Sequence, residues 1–346
     1  MRWKAASAAL LVLGLALSGC ISEPKPSVKP PPGRSVWAYN MTQVLEMHSQ
    51  GFTGQGVTVG LVDSGIDLSH PEFANLTLKG WKDLVNGEPT PYDDGGHGTE
   101  MAGIIAGSEG AAPGAALLVA KAIRSDGTST DALVAAGVRW CLDPDGDGSN
   151  SDSADLISLS LGGGRIPILG TETERACKEA LSWGAFVVAA ADNDGDSDDG
   201  DVTSPASVKN VIAVGAVNAT GVIAPWSSAG RNGGSLLPPR LPRSDPDRKP
   251  EVVAPGVDLW CAVPGGGHDF GSGTSHAAAF VSGCLALVLG ALPRYLPRNN
   301  EGETTIVKFK QALMDTALKL EGQARPHDEH YGYGLIQAAA LRAALA

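Results

Sequence analysis

Aromatic residues are scarce in this chain of 346 residues, at 5%, whereas glycine is abundant, at 45. A core with so few rings must be closed by aliphatic and very small side chains, which favours close helix packing and tight loops. Positive charge is also in deficit. There are 26 Lys and Arg against 38 Asp and Glu, a formal net charge of -12, and such a surface argues against nucleic acid as a partner. Only 5 cysteines occur, and no two are spaced as CxxC, so no thiolate metal centre is written in them. No internal repeat is visible, which sets aside solenoids and propellers. The apolar run after Arg2 and Lys4 is too short to span a bilayer.

That run belongs instead to MRWKAASAALLVLGLALSGC, a positively charged start followed by an apolar segment, the pattern of a secretory signal. It ends in Leu17-Ser18-Gly19-Cys20, which resembles the lipobox of prokaryotic lipoproteins. The resemblance implies cleavage before Cys20 and lipid on its thiol. Residues 1–19 are thus expected to be a lipoprotein-type signal peptide, and residues 20–35 a Pro-rich, lipid-anchored tether. Residues 36–346 remain for one globular domain of an exported, membrane-anchored protein. Export permits disulfides. Cys141 and Cys177, on neighbouring predicted helices, are the pair to expect, with buried free thiols as the alternative.

Through the body of the chain, short β-branched runs alternate with helical stretches. VTVGLV (57–62), LLVAKAI (117–123), LISLSL (156–161), FVVAAA (186–191) and VIAVGAV (211–217) read as buried parallel strands. Segments 127–142, 171–184, 304–320 and 335–345 carry helical spacing. The expected fold class is α/β, a doubly wound, mostly parallel sheet with helices on both faces. Ligands of such a sheet gather at the carboxyl ends of its strands.

Chemistry concentrates at three places. Asp63 follows the first strand in VDSGID, His97 opens a helix in GGHGTEMAGIIAG, and Ser275 opens another in GSGTSHAAAFVSG. Each alone has a plain structural reading: a turn aspartate, a structural histidine, an N-cap serine. In the order Asp, His, Ser they form one of the known chain orders of a hydrolase triad. No G-x-S-x-G elbow surrounds Ser275, which disfavours an α/β-hydrolase esterase.

These motifs resemble the subtilisin-like serine peptidases, together with GAAPGAALLVAKAI, ISLSLGG, KPEVVAPG and YGYGLIQAAA. The resemblance runs from Val36 to the end. It implies a serine endopeptidase without a catalytic cofactor, acting on extended polypeptides. Asp63 would orient His97, His97 would take the proton of Ser275, and Asn193 would donate to the oxyanion. Ser160, Leu161 and Gly162 would line up the substrate backbone, with Leu161, Ala190 and Thr203 around the side chain before the scissile bond and Asp194 at the rim. Bulky apolar residues are expected to lead there. Three positions depart from the family's usual pattern: Glu100 where a second histidine is common, His276 where methionine follows the nucleophile, and Asp192 where glycine precedes the oxyanion asparagine. A surface protein that keeps the fold without turnover is the competing expectation. The short segment between Cys20 and the domain is expected to hold no propeptide.

The acidic loop DPDGDGSNSDSAD (143–155) alternates carboxylates before a turn glycine, as calcium loops do. Asp143, Asp145 and Asp147 are the candidate ligands. Asp152 or Asp155 would replace the missing bidentate glutamate. The less regular DNDGDSDDGD (192–201) is a second candidate.

Overall fold

The computed structural model describes residues 17–18, 35–163, 170–195, 201–236 and 239–346. The expected lipidation site Cys20 and nearly all of the expected signal and tether lie outside the described residues, as does the 196–200 part of the second acidic loop.

Seven strands build one sheet: β1 (Thr58–Asp63), β2 (Thr77–Asp83), β3 (Ala116–Lys121), β4 (Leu156–Leu159), β5 (Phe186–Ala190), β6 (Ile212–Val217) and β7 (Val252–Pro255). Their order is β7-β6-β5-β4-β1-β3-β2, and every pairing is parallel. All residues of β1, β3, β4, β5, β6 and β7 are buried, which is why they read as unbroken apolar runs. The winding reverses at β1, which lies between β3 and β4. The carboxyl end of β1 is therefore the switch point where a doubly wound sheet opens a crevice, and Asp63 stands there.

Helices cover the sheet. The chain enters through α1 (Val36–Met41) and α2 (Val44–Ser49), and α3 (His97–Ala106) follows β2. Next, α4 (Asp131–Leu142) and α5 (Glu172–Ser182) lie side by side. Thr130 and Thr171 cap them by accepting from the N–H of Leu133 and Glu174, as their polar starts suggest. Asp131 ties the two together by accepting from the N–H groups of Glu172 and Thr173, at 2.6 and 3.1 Å.

The central helix is α6 (Thr274–Ala291), packed on β4, β5, β6 and β7 and against α3. It is long and apolar enough to cross a membrane, but it is 89% buried in this domain. The triplet Ala277, Ala278 and Ala279 is fully buried, small side chains that let strands and helix approach closely. Near the carboxyl end of the chain, α7 (Glu303–Thr316) and α8 (Ala338–Leu345) pack on one another. A hairpin of β8 (Leu259–Val263) and β9 (Gly267–Gly271) precedes α6, and a two-residue strand, Leu17–Ser18, pairs with Thr128–Ser129.

Cys141, Cys177, Cys261 and Cys284 are buried free thiols, so the expected Cys141–Cys177 disulfide is absent. The two helices are neighbours, but Cys141 turns to the sheet. A Cβ placed on Gly60 of β1 would lie 3.0 Å from its Sγ.

Candidate active site

Asp63 ends β1 with no exposed surface. Its Oδ1 accepts from His97 Nδ1 at 2.8 Å and from the Ser64 N–H at 2.7 Å. Two features hold α3 at that distance. Gly98 lies so close to the β1 turn that a Cβ would collide with the Gly65 carbonyl oxygen. Asp93, in the preceding loop, accepts from the N–H groups of Gly96 and Thr99 at 2.8 Å each, and thereby holds the start of the helix. The first of these was visible in the sequence as a glycine-flanked histidine. The second was missed, although an aspartate two residues before a Gly-Gly pair is a turn signal. Lys121, also missed, is buried at the end of β3. It donates to the Ser64 carbonyl at 2.6 Å and to Asp94 at 2.5 Å.

Ser275 occupies the first turn of α6. Neither it nor Thr274 caps the helix, since no side-chain cap is made there. Thr274 instead donates through its N–H and its hydroxyl to Asn193 Oδ1, at 3.0 and 2.9 Å. Because a backbone N–H can only donate, the accepting atom is the amide oxygen, and Nδ2 is the opposite end of the group. Ser275 Oγ donates to the Ser160 carbonyl at 3.1 Å, and Ser160 Oγ donates back to the Ser275 carbonyl at 2.9 Å. Ser160 thus fixes the serine turn through its side chain.

His97 Nε2 is buried and meets no hydrogen-bond partner among the described residues. This is the atom available to receive a proton. Burial alone would lower the pKa of His97. The charge and hydrogen bond of Asp63, with smaller contributions from Glu100 and Asp93, outweigh it and raise the value to about 9. Glu100, one turn along α3, accepts from His276 Nε2 at 3.0 Å, and the His276 ring stands edge-on to His97 with centroids 6.3 Å apart. Two departures from the family pattern are therefore one interaction.

The remaining expected residues divide. Thr203 is 5% exposed, Leu161 2% and Ala190 0%, so the apolar walls expected around the substrate side chain offer little surface. Asp194 is exposed and points its N–H to Ser228 Oγ at 3.1 Å. Asp192, rather than Asp194, faces Gly162 and Thr203.

In the 143–155 loop, Asp143, Asp145 and Asp152 bring carboxylate oxygens within 4.8 Å of one another. Asp143 Oδ1 and Asp152 Oδ1 are buried without a hydrogen-bond partner among the described residues. Burial and the nearby Asp145 push the Asp152 carboxyl above its usual range. Asp147 stays exposed and outside this group. Asp155 also stands apart, because its two oxygens serve the fold: one accepts from the Thr58 N–H at 2.8 Å and the other from Arg298 at 3.1 Å.

A carboxylate-bound histidine with a serine at a buried helix start is the constellation of a serine hydrolase. The chain belongs to the subtilase family, whose model matches residues 54–334. It is 36% identical over 314 residues to subtilisin of Bacillus pumilus, covering 87% of this chain and 98% of that protein. Subtilisin E of Bacillus subtilis is also 36% identical, over 87% of this chain and 71% of the relative. Subtilisin Savinase of Lederbergia lenta is 31% identical over 88% and 97%. The protein is a serine endopeptidase.

A base must be neutral to accept a proton, so His97 in that role would have a kinetic signature. With its pKa raised to about 9, kcat/KM should climb through that pH rather than near neutrality. Replacing Glu100 by Gln removes one of the charges that raise it and should move the acidic limb downward. An unchanged limb in Glu100→Gln, followed by peptide hydrolysis from pH 6 to 10.5, would exclude Glu100 from this role.

Proposed function

We propose that this serine endopeptidase is exported and lipid-anchored, and that Asp63, His97 and Ser275 carry its chemistry. The observation that supports the assignment most is the 2.8 Å contact between buried Asp63 and His97, with Ser275 on the first turn of the central helix. Ser275 attacks the peptide carbonyl while His97 Nε2 takes its proton and later delivers it to the departing amine. Asp63 keeps Nδ1–H directed at itself and stabilises the imidazolium. Negative charge then develops on the carbonyl oxygen. It meets the Asn193 side-chain amide and the Ser275 N–H on the first turn of α6, donors aimed at the place where that charge develops. The polypeptide lies extended along 160–163, main chain to main chain, which accepts many sequences in one register. No cofactor takes part in these steps.

Calcium is the structural ion that suits the 143–155 loop. Three converging carboxylates, two of whose buried oxygens have no partner among the described residues, repel one another while charged; a hard cation among them relieves that repulsion, and oxygen donors of this kind are those of Ca²⁺. Asp143, Asp145 and Asp152 would hold it. The lipid anchor rests on the sequence around Cys20, and relatives named as subtilisins are compatible with export. Polypeptides and, through the lipid, a prokaryotic membrane are the partners of this reading.

Ser275→Ala should abolish hydrolysis and fluorophosphonate labelling while the circular dichroism spectrum is retained. Asn193→Ala should lower kcat by about 10²–10³ with little change in KM, the range found for such a donor in a subtilisin. Wild-type rates in either variant would sink the assignment. EDTA should lower the melting temperature. At free calcium of about 100 times Kd the stabilisation removed is about 2.7 kcal/mol, and Asp143→Asn should abolish the response. An EDTA-insensitive melting curve would rule the ion out. Mass spectrometry of the mature chain should find diacylglycerol on an N-terminal Cys20, and Cys20→Ser should leave the membrane fraction. A mature terminus elsewhere would overturn the anchor.

A further inference from the structure

We propose that Asp192 makes this a peptidase for chains with Lys or Arg immediately before the scissile bond. The proposal deepens the peptidase reading above and rests on it. Asp192 precedes Asn193, whose amide is locked onto Thr274 beside the nucleophile. Its carboxylate lies over the substrate-pairing segment: a Cβ built on Gly162 would be 2.8 Å from Asp192 Oδ2 and 2.6 Å from Thr203 Oγ1. Oxygen atoms, not hydrocarbon, therefore occupy the side of that segment, since Leu161 and Ala190 are turned into the core. A large apolar side chain entering here would strip water from an ion and gain little contact in return.

The backbone conformation points the same way. Asp192 holds φ at +92°, a left-handed conformation that side chains other than glycine rarely adopt. Strain of this kind persists where the side chain has a use. The carboxylate accepts from the Asn193 N–H at 2.8 Å and from the Thr203 hydroxyl at 2.6 Å. Both donors are neutral, and among the described residues no Lys or Arg pairs with it. A full negative charge thus stands next to the position where the oxyanion forms, and it opposes that charge. A substrate cation paired with Asp192 neutralises the opposition at the moment of reaction. Discrimination should accordingly appear in kcat as well as in KM.

The test uses tetrapeptide anilides that differ only in the residue before the anilide: Lys, Arg, Phe, Leu or Glu. Active sites are counted by fluorophosphonate titration in wild type, Asp192→Asn and Asp192→Gly. Lys and Arg should exceed Phe and Leu by at least about tenfold in kcat/KM, as expected for a partly buried charge pair. Both variants should lose that advantage and keep a titratable Ser275, and Asp192→Gly, which relieves the positive φ, serves if the Asn variant folds poorly. A wild type that prefers Phe or Leu, or variants that keep the cation preference, would overturn the proposal while leaving a titratable peptidase. If no anilide is cleaved and Ser275 does not titrate, the peptidase reading falls and the specificity with it.

Discussion

Everything at the catalytic centre depends on how closely α3 can approach the end of β1. The Asp63–His97 hydrogen bond of 2.8 Å joins the sheet to a helix separated from it by more than thirty positions in sequence. It can form only if nothing stands between the two backbones. Gly98 meets that condition by having no side chain where the Gly65 carbonyl sits. Asp93 and Lys121 then hold the two sides, one on the helix start and one under the Ser64 carbonyl. These polar contacts are buried or nearly so, where hydrogen bonds are stiff and their loss is costly. The geometry of His97 is thus set by packing and charge in the loops around it.

Ser275 is positioned by a different means. Helix α6 is buried along almost its whole length, so its axis is fixed by the apolar faces of four strands. Fixing the axis fixes the first turn, and the first turn carries Thr274, Ser275 and His276. Asn193 and Ser160 complete the arrangement, each bonded directly to that turn. Asp63, His97, Ser275 and Asn193 therefore have rigid supports, which is what the preorganised stabilisation proposed for them requires.

The sheet strands that sequence reading located, 57–62, 117–123, 156–161, 186–191 and 211–217, are those buried on both faces, where composition alone marks them. The edge strand β2 escaped because its residues are mostly exposed or half-buried, and β7, as short and as buried as β4, because Pro250 stands before it and Pro255 ends it. Asp63, His97 and Ser275 stood out as a candidate triad for a related reason: those residue types occur there in one of the few chain orders such a triad takes. Side-chain direction was not legible. That Asp192 rather than Asp194 faces Gly162 follows from a positive φ, and that Asp155 leaves the acidic cluster follows from Arg298, 143 positions further along. Neither the backbone twist nor the distant partner is written in the local sequence.

Glu100 and His276 show how two local oddities become one physical statement. Separately, an acid on α3 and a histidine after the nucleophile are departures without a reason. Together they close a contact of 3.0 Å beside His97, and a Cβ on Gly271 would intrude on both partners. Glu100 also adds to the charges that raise the pKa of His97. A stronger base drives proton abstraction harder but is neutral in fewer molecules at neutral pH, so the gain and the loss partly cancel. The balance favours such a site only where the surroundings are alkaline or where attack, not base availability, limits the rate.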